Sequence, residues 1–179
     1  MDNLKIIGKS IPRVEGIPKV TGAARYGDDL AFDGMLYADI LTSPHPYARI
    51  KSIDVSKALN LQGVEVIITG EDVAGSYGYK IKDRPVLARD VVRFVGEPVV
   101  AVAAVDMKTA KEAVKLIHVE YEKLEPLLDV EESFTKRNPL IHPEMSNYSR
   151  EKTTFVVEGT NICHHIKVRK GDVEEGFKE

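Results

Sequence analysis

One cysteine, Cys163, in 179 residues excludes an internal disulfide. It also excludes a cysteine-ligated iron-sulfur cluster held by this chain alone, which would need about four thiolates. No apolar run is long enough to span a bilayer, and the opening MDNLKIIGKS lacks the apolar centre of a signal peptide. These absences lead to the expectation of a soluble, cytoplasmic protein. Charge of one sign is not in excess either: 25 basic against 28 acidic residues give −3, interspersed along the chain. No basic face therefore points to nucleic acid. Internal repeats and low-complexity segments are also missing, so at this length one well-packed domain with an extension is expected.

What is present is regular. Pro98 to Val105 is short, Val-rich and apolar on both faces, as in a strand buried in the middle of a sheet. Asp106 ends it and can cap a helix in which Ala110, Ala113, Val114 and Ile117 recur at i, i+3, i+4 and i+7, so the helix should lie flat on the sheet. Val119 and Tyr121 then alternate with Glu120 and Glu122 as a half-exposed strand that runs until Pro126. Upstream, Tyr37 to Thr42, Ile50 to Val55 and Glu65 to Thr69 read as three further strands. SKALNLQG, Ser56 to Gly63, reads as a short helix capped by Ser56 and stopped by Gly63. Thr69 and Asp72 in TGED give a weaker capping signal for another. The sum is an α+β domain of about a hundred residues.

Four segments carry a resemblance. IGKSIPRVEGIPKVTGAARYGDDL (7–30), GMLYADILTSPHPYARIKSIDVSKAL (34–59), VEVIITGEDV (64–73) and VRFVGEPVVAVAA (92–104) together resemble, in order and spacing, the amino-terminal part of the large subunit of the xanthine dehydrogenase and aldehyde oxidase family. Glu15 departs from the pattern, where an aspartate is more usual. The part resembled is the a/b hammerhead domain, with the arm before it and the first strand of the molybdenum-binding region after it. The implied fold is α+β, a hammerhead-like mixed sheet with packed helices, an N-terminal arm and a C-terminal strand extension. The implied boundaries are 1–20 for the arm, 21–133 for the hammerhead, and 134–179 for a linker and the start of the molybdopterin-binding domain.

The resemblance also implies a chemistry. Members of the family are molybdenum hydroxylases that hydroxylate an aldehyde or N-heterocycle with oxygen from water. A molybdopterin takes two electrons, which leave through iron-sulfur centres, often to FAD. The pterin-contacting loops and the glutamate base lie later in the family's large subunit, so no residue here inherits a catalytic, cofactor-binding or metal-binding role. The partners implied are the remainder of the large subunit, in the same or a separate chain, and iron-sulfur and FAD subunits or domains, without nucleic acid or membrane. The parent's substrate stays open.

Several residues invite a sharper reading. Ile162, His164, Ile166 and Val168 alternate with Cys163, His165, Lys167 and Arg169, a strand pattern that puts Cys163 and His165 on one face as two metal ligands. A structural zinc site needs four, and His142 lies on a loop, so the plainer assignment is a partly buried thiol beside a solvent histidine. His45, between Pro44 and Pro46, could present an imidazole to a substrate, or simply sit in a rigid connection between strands. In the GEP triplet, Gly96 to Pro98, a bulge is the simplest reading, with Glu97 exposed on it or paired with a cation such as Arg93. Acid-base work by Glu97 lacks a visible partner.

Asp172 and Glu175 mark a helix start with Phe177 as its first buried position, close to Glu179. A helix that short is not stable alone, so the chain is expected to stop within a supersecondary unit. Ser133 to Lys152 is the expected linker, and Ala74 to Pro85 an expected mobile loop. Residues 134–179 should be soft to proteases or pair with another chain. Three functions follow: a structural and assembly domain of a molybdenum hydroxylase large subunit, inactive alone; a stand-alone module binding a small ligand or a protein; or a small hydrolase or metal enzyme using His45, His142 or Cys163 with His165. The expected core is tested directly. Val102→Asp should unfold the domain, a loss of more than about 4 kcal/mol, because it places an unpaired charge in a dry sheet. Lys111→Ala should stay within about 0.5 kcal/mol of the parent in urea unfolding.

Overall fold

A computed structural model of the chain describes residues 4–135, 139–166, 168 and 170–178. The chain divides into two compact units, the first ending at Met35 and the second starting at Leu36. The first carries one short helix, α1 (Gly16–Val20), and a 3-10 turn at Gly27–Asp29 whose Asp29 carboxylate accepts the Tyr26 N–H at 2.9 Å. None of its described residues is buried, although Ile6, Ile7, Val14, Ile17, Val20 and Phe32 are large and apolar.

The second unit runs β1 (Tyr37–Thr42), β2 (Ala48–Asp54), α2 (Ser56–Leu59), β3 (Val64–Thr69), β4 (Ser76–Tyr77), β5 (Arg84–Pro85), β6 (Val91–Val92), β7 (Pro98–Ala104), α3 (Met107–Leu116), β8 (His118–Lys123), α4 (Val130–Thr135) and α5 (Val173–Gly176). The class is α+β. Its strands, however, form separate sheets, β1-β7-β3 and β6-β2-β8, with a two-stranded β4-β5 ribbon, and every strand pair is antiparallel. The single mixed sheet expected from sequence is therefore replaced by small antiparallel ones.

The central strand is β7, as its apolar run implies. Val99, Val100, Val102 and Ala104 are buried, with β1 on one side and β3 on the other. Helix α3 covers this sheet. Asp106 caps it by accepting the Thr109 N–H at 2.7 Å, and Ala110 and Ala113 are the residues it buries, with Ile117 just beyond its end. Those small side chains let the helix approach closely. The core is accordingly built of alanine and valine with few larger groups: Ala48, Ala58, Ala88, Val92, Val99, Val100, Val102, Ala113 and Ile117. In β8, Val119 and Tyr121 are half-buried and Glu120 and Glu122 exposed, as the alternation predicts.

Several local expectations are corrected. Ser56 caps nothing; it is the first residue of α2, and the Asp54 carboxylate accepts its N–H at 2.9 Å. Thr69 and Asp72 close a turn rather than open a helix, because Asp72 accepts both the Thr69 N–H (2.8 Å) and its hydroxyl (2.9 Å). The loop 74–85 is organised by the β4-β5 ribbon. The linker 133–152 begins within α4, whose last residues it shares, and contains a 3-10 turn at Met145–Asn147 with Met145 buried; residues 136–138 lie outside the described set. The described residues between Ile162 and Val168 form no strand, and Lys167 and Arg169 of that pattern lie outside the described residues. Asp172 does cap α5, accepting from Glu174 and Glu175 N–H at 3.0 and 3.2 Å, but Phe177 is 88% exposed rather than buried. No described residue of this unit covers that short helix, whose residues are all exposed.

Gly70, at the end of β3, passes so close to the Ala88 main chain that a Cβ would stand 2.5 Å from the Ala88 carbonyl oxygen. Ala88 is itself pinned by donating its N–H to the Pro98 carbonyl at 2.8 Å. Gly70→Ala should therefore cost about 1–3 kcal/mol in urea unfolding, as overpacking against a main chain that cannot retreat does. An unchanged midpoint would mean that the 86–90 segment yields.

Candidate functional site

The polar groups of the chain converge where the turn before β7 meets residues 139–161. Phe94 to Glu97 is a tight turn: Glu97 donates its N–H to the Phe94 carbonyl at 3.2 Å, and Gly96 takes a left-handed φ of +92°. The bulge lies one step further on. Leu41 pairs with Val100 and Thr42 with Pro98, leaving Val99 as the extra residue. Proline suits that place, having no N–H to donate to the ladder.

Glu97 is 5% exposed, which overturns the solvent-exposed alternative. Its carboxylate is held by Arg93, the residue expected, through the main-chain N–H. The Arg93 guanidinium turns elsewhere, donating Nε to the Ile141 carbonyl (2.9 Å) and Nη1 to the Val91 carbonyl (3.3 Å). Burial pushes the Glu97 carboxyl above its ordinary value, against the opposing pull of the Arg93 N–H and charge. The contacts continue outward. Ile141 donates its N–H to Asn161 Oδ1 at 2.9 Å, and Asn161 Nδ2 donates to the Pro139 carbonyl at 3.1 Å. No local pattern marks Arg93 or Asn161 for this role, because their partners are 48 and about 20 residues away in sequence.

His45 is held from both sides. Its N–H donates to Ser43 Oγ (3.0 Å), Ser43 Oγ donates to the His45 carbonyl (3.0 Å), and the ring stands edge-on to Tyr121 at 5.1 Å. The Tyr121 hydroxyl is buried, and burial raises its pKa against the opposing pull of the Ser43 side chain. The same loop is stitched to the Glu97 turn by Ser43 N–H to Glu97 O and Gly96 N–H to Ser43 O, both 2.8 Å. His142 pairs with Tyr148, Nδ1 to hydroxyl 3.2 Å, and the hydroxyl donates to Glu144 at 3.4 Å. Burial first and the Arg93 charge second lower the His142 pKa, so its neutral form is favoured. Which of the two donates in the His142–Tyr148 bond is set by the imidazole tautomer.

Cys163 is exposed rather than partly buried. Without a strand, the argument placing it and His165 on one face lapses. His164 Nδ1 accepts the Phe155 N–H at 3.2 Å. Among the described residues no three His, Cys, Asp or Glu side chains stand together as metal ligands. The structure thus brings Glu97 and Arg93 together, with His142 close enough to feel the Arg93 charge. His45 and the Cys163 segment make separate contacts.

Two clefts flank this junction, and Arg93 lines both. One, about 330 Å³, is polar, with Asp83, Arg89, Asp90, Glu144 and Tyr148. The other, about 360 Å³, is apolar, with Pro46, Tyr47, Phe94, Val95, Leu127 and Ile141. The described groups that line them hold main chain together and bury apolar surface.

The raised Glu97 pKa has a definite sign. Between the ordinary value of 4.5 and the raised folded value, the native state binds more proton than the unfolded chain, so this group's contribution to stability falls as pH rises through that window. Glu97→Gln, which keeps the acceptor for Arg93, should remove that fall. The difference between the parent and variant unfolding curves should shrink toward acid and grow toward neutral pH. A pH-independent difference would refute the assignment.

Comparison with known proteins agrees with the geometry. Residues 21–125 match the family described as aldehyde oxidase and xanthine dehydrogenase, a/b hammerhead domain. A probable xanthine dehydrogenase subunit of Bacillus subtilis (strain 168) is 39% identical over 168 residues, 93% of this chain and 20% of that protein. The nicotinate dehydrogenase large molybdopterin subunit of Eubacterium barkeri is 35% identical over 178 residues, 98% of this chain and 38% of that one. Among solved structures, quinoline 2-oxidoreductase from Pseudomonas putida 86 superposes with a TM-score of 0.66 at 40% identity, over 72% of this chain and 18% of that one. CO dehydrogenase from Oligotropha carboxidovorans gives 0.67 at 37%, over 72% and 16%. The chain spans well under half the length of each of these relatives, so what is matched is one portion of a larger protein. With more than half of its residues within the family match, the chain belongs to the aldehyde oxidase and xanthine dehydrogenase family and represents the a/b hammerhead portion of its large subunit.

Proposed function

We propose that this chain is a structural and assembly element of a molybdenum hydroxylase, inactive alone, that buttresses a cofactor region lying outside it. The observation that carries this reading is the near-complete coverage of the chain by relatives of which it makes up only 20% and 38%. The arm adds a physical reason. Ten large hydrophobic side chains, Val14 at 96% exposure among them, are exposed among the described residues of the first unit, and extensive exposed apolar surface marks an interaction site. Such surface is stabilised by burial against other parts of an assembly.

The parent enzyme would hydroxylate an N-heterocycle or an aldehyde with oxygen from water, in the cytoplasm. The division into arm (1–20), hammerhead (21–133) and the start of the molybdopterin-binding domain (134–179) belongs to the same proposal. Partners are the remainder of the large subunit and iron-sulfur and FAD subunits or domains. The described residues do not fit a molybdopterin. The convergent polar groups at Glu97 and Arg93 are spent on main-chain N–H and carbonyl groups, and the lone thiol stands at the surface. On this reading the cofactor belongs with residues beyond this chain, and no chemical step is assigned to residues here. No helix among the described residues is long and apolar enough to cross a membrane.

Genomic tagging at the amino terminus, followed by gentle purification, should recover the chain in an assembly far larger than its own 19.9 kDa, with molybdenum and iron in fixed ratio to it. Recovery as a metal-free monomer would overturn the proposal and leave the stand-alone binding module.

A further inference from the structure

Residues 139–161, read from sequence as mostly linker, are tied into a loop of their own. Asn161 joins the two ends by accepting the Ile141 N–H and donating to the Pro139 carbonyl. Within the loop, Arg150 Nη1 donates to the Ser146 carbonyl at 2.9 Å, and His142 meets Tyr148. Its hydrogen bonds to the preceding part of the unit come at two places: Arg93 Nε holds the Ile141 carbonyl, and an antiparallel bridge joins Ile81 to Arg150, with Lys82 N–H to Ser149 O at 2.8 Å and Glu151 N–H to Lys80 O at 2.9 Å. Its far end is also bonded to the residues that follow it, Phe155 N–H to His164 Nδ1 at 3.2 Å, His165 N–H to Phe155 O at 3.1 Å and Val157 N–H to Ile162 O at 3.2 Å, so 162–165 move with it. Burial contributes little. Met145 and Thr154 are its only buried residues, and the Thr154 hydroxyl lacks a hydrogen-bond partner.

A segment tied to itself, held to its neighbours by polar contacts and burying little apolar surface, belongs to the low end of local stability. We propose that residues 139–161 are a releasable strap, closed by Arg93 over the apolar cleft, that opens as one unit while the β1-β7-β3 sheet stays folded. Ile141 and Pro139 form one wall of that cleft, facing Tyr47, Phe94 and Val95. Arg93 lines the polar cleft as well as the apolar one, so withdrawal of Ile141 from it removes a residue from the wall of the apolar cleft beside a residue common to both. Arg93 acts here as a positioning residue. Its main-chain N–H serves Glu97 and its guanidinium serves the strap, so the turn before the central strand and the strap are coupled through one side chain.

Hydrogen exchange of the full chain, resolved to single amides, tests this at the far attachment. The amides of Lys82 and Glu151 are bonded across the bridge, not to Arg93. Arg93→Ala should speed their exchange by about tenfold to a hundredfold, the range expected for losing a hydrogen bond to a charged group, with the amides of Val100 and Val102 unchanged. Asn161→Ala, which leaves Arg93 and the Glu97 turn intact, should speed the same two amides. It also decides the matter if Arg93→Ala proves unfolded. Unchanged Lys82 and Glu151 exchange in a folded variant would overturn the proposal, since the two attachments would then open separately. Equal acceleration in β7 would overturn it too, because the strap would then be part of the global core.

Discussion

The rest of the structure depends on one central strand with a dry face: Val100, Val102 and Ala104 are buried, while Ala101 and Ala103 opposite them are half-buried. β7 places valine and alanine against β1 and β3 at its edges and α3 over its face, so every neighbour must supply apolar atoms and satisfied main chain. Small residues allow this. Ala104 in the strand and Ala110 and Ala113 in the helix let main chains approach where larger side chains would hold them apart. Gly70 extends the same economy of space to the 86–90 segment.

Entering such a strand leaves polar groups to be satisfied at its start, and the structure answers with a buried carboxylate. Glu97 takes up the Arg93 N–H, the bulge at Val99 absorbs the offset in register, and Pro98 brings no donor that would need a partner. The cost of burying Glu97 appears as a raised pKa, held in check by the Arg93 charge. Freed from a direct ion pair, the guanidinium reaches across to the 139–161 loop. A requirement of the sheet thereby positions a segment distant in sequence and shapes both clefts.

This organisation accords with a part that supports chemistry done elsewhere. The polar side chains that converge do so on main-chain groups, and the large apolar side chains of the first unit are bare. The His142–Tyr148 pair lies within the strap and ends on Glu144, with Tyr148 and Glu144 lining the polar cleft.

Sequence alone determined the α+β class, the central strand, the Asp106 cap, the helix behind it and the family, because these rest on short-range periodicity, local capping and ordered motifs. It also singled out Glu97 with Arg93. What it could not decide was which group of Arg93 would meet the carboxylate, where the guanidinium would go, or that 139–161 would fold back on the domain. Those outcomes depend on contacts between residues up to 48 apart, whose partners leave no periodic trace. The described residues between 162 and 168 form no strand: alternation marks a chain able to form one, but only isolated main-chain bonds, Val157 N–H to Ile162 O and His165 N–H to Phe155 O, meet this stretch. Tertiary structure therefore decided the burial of Glu97, the exposure of Phe177 and Cys163, and the division into separate antiparallel sheets, since each depends on what the rest of the chain brings alongside.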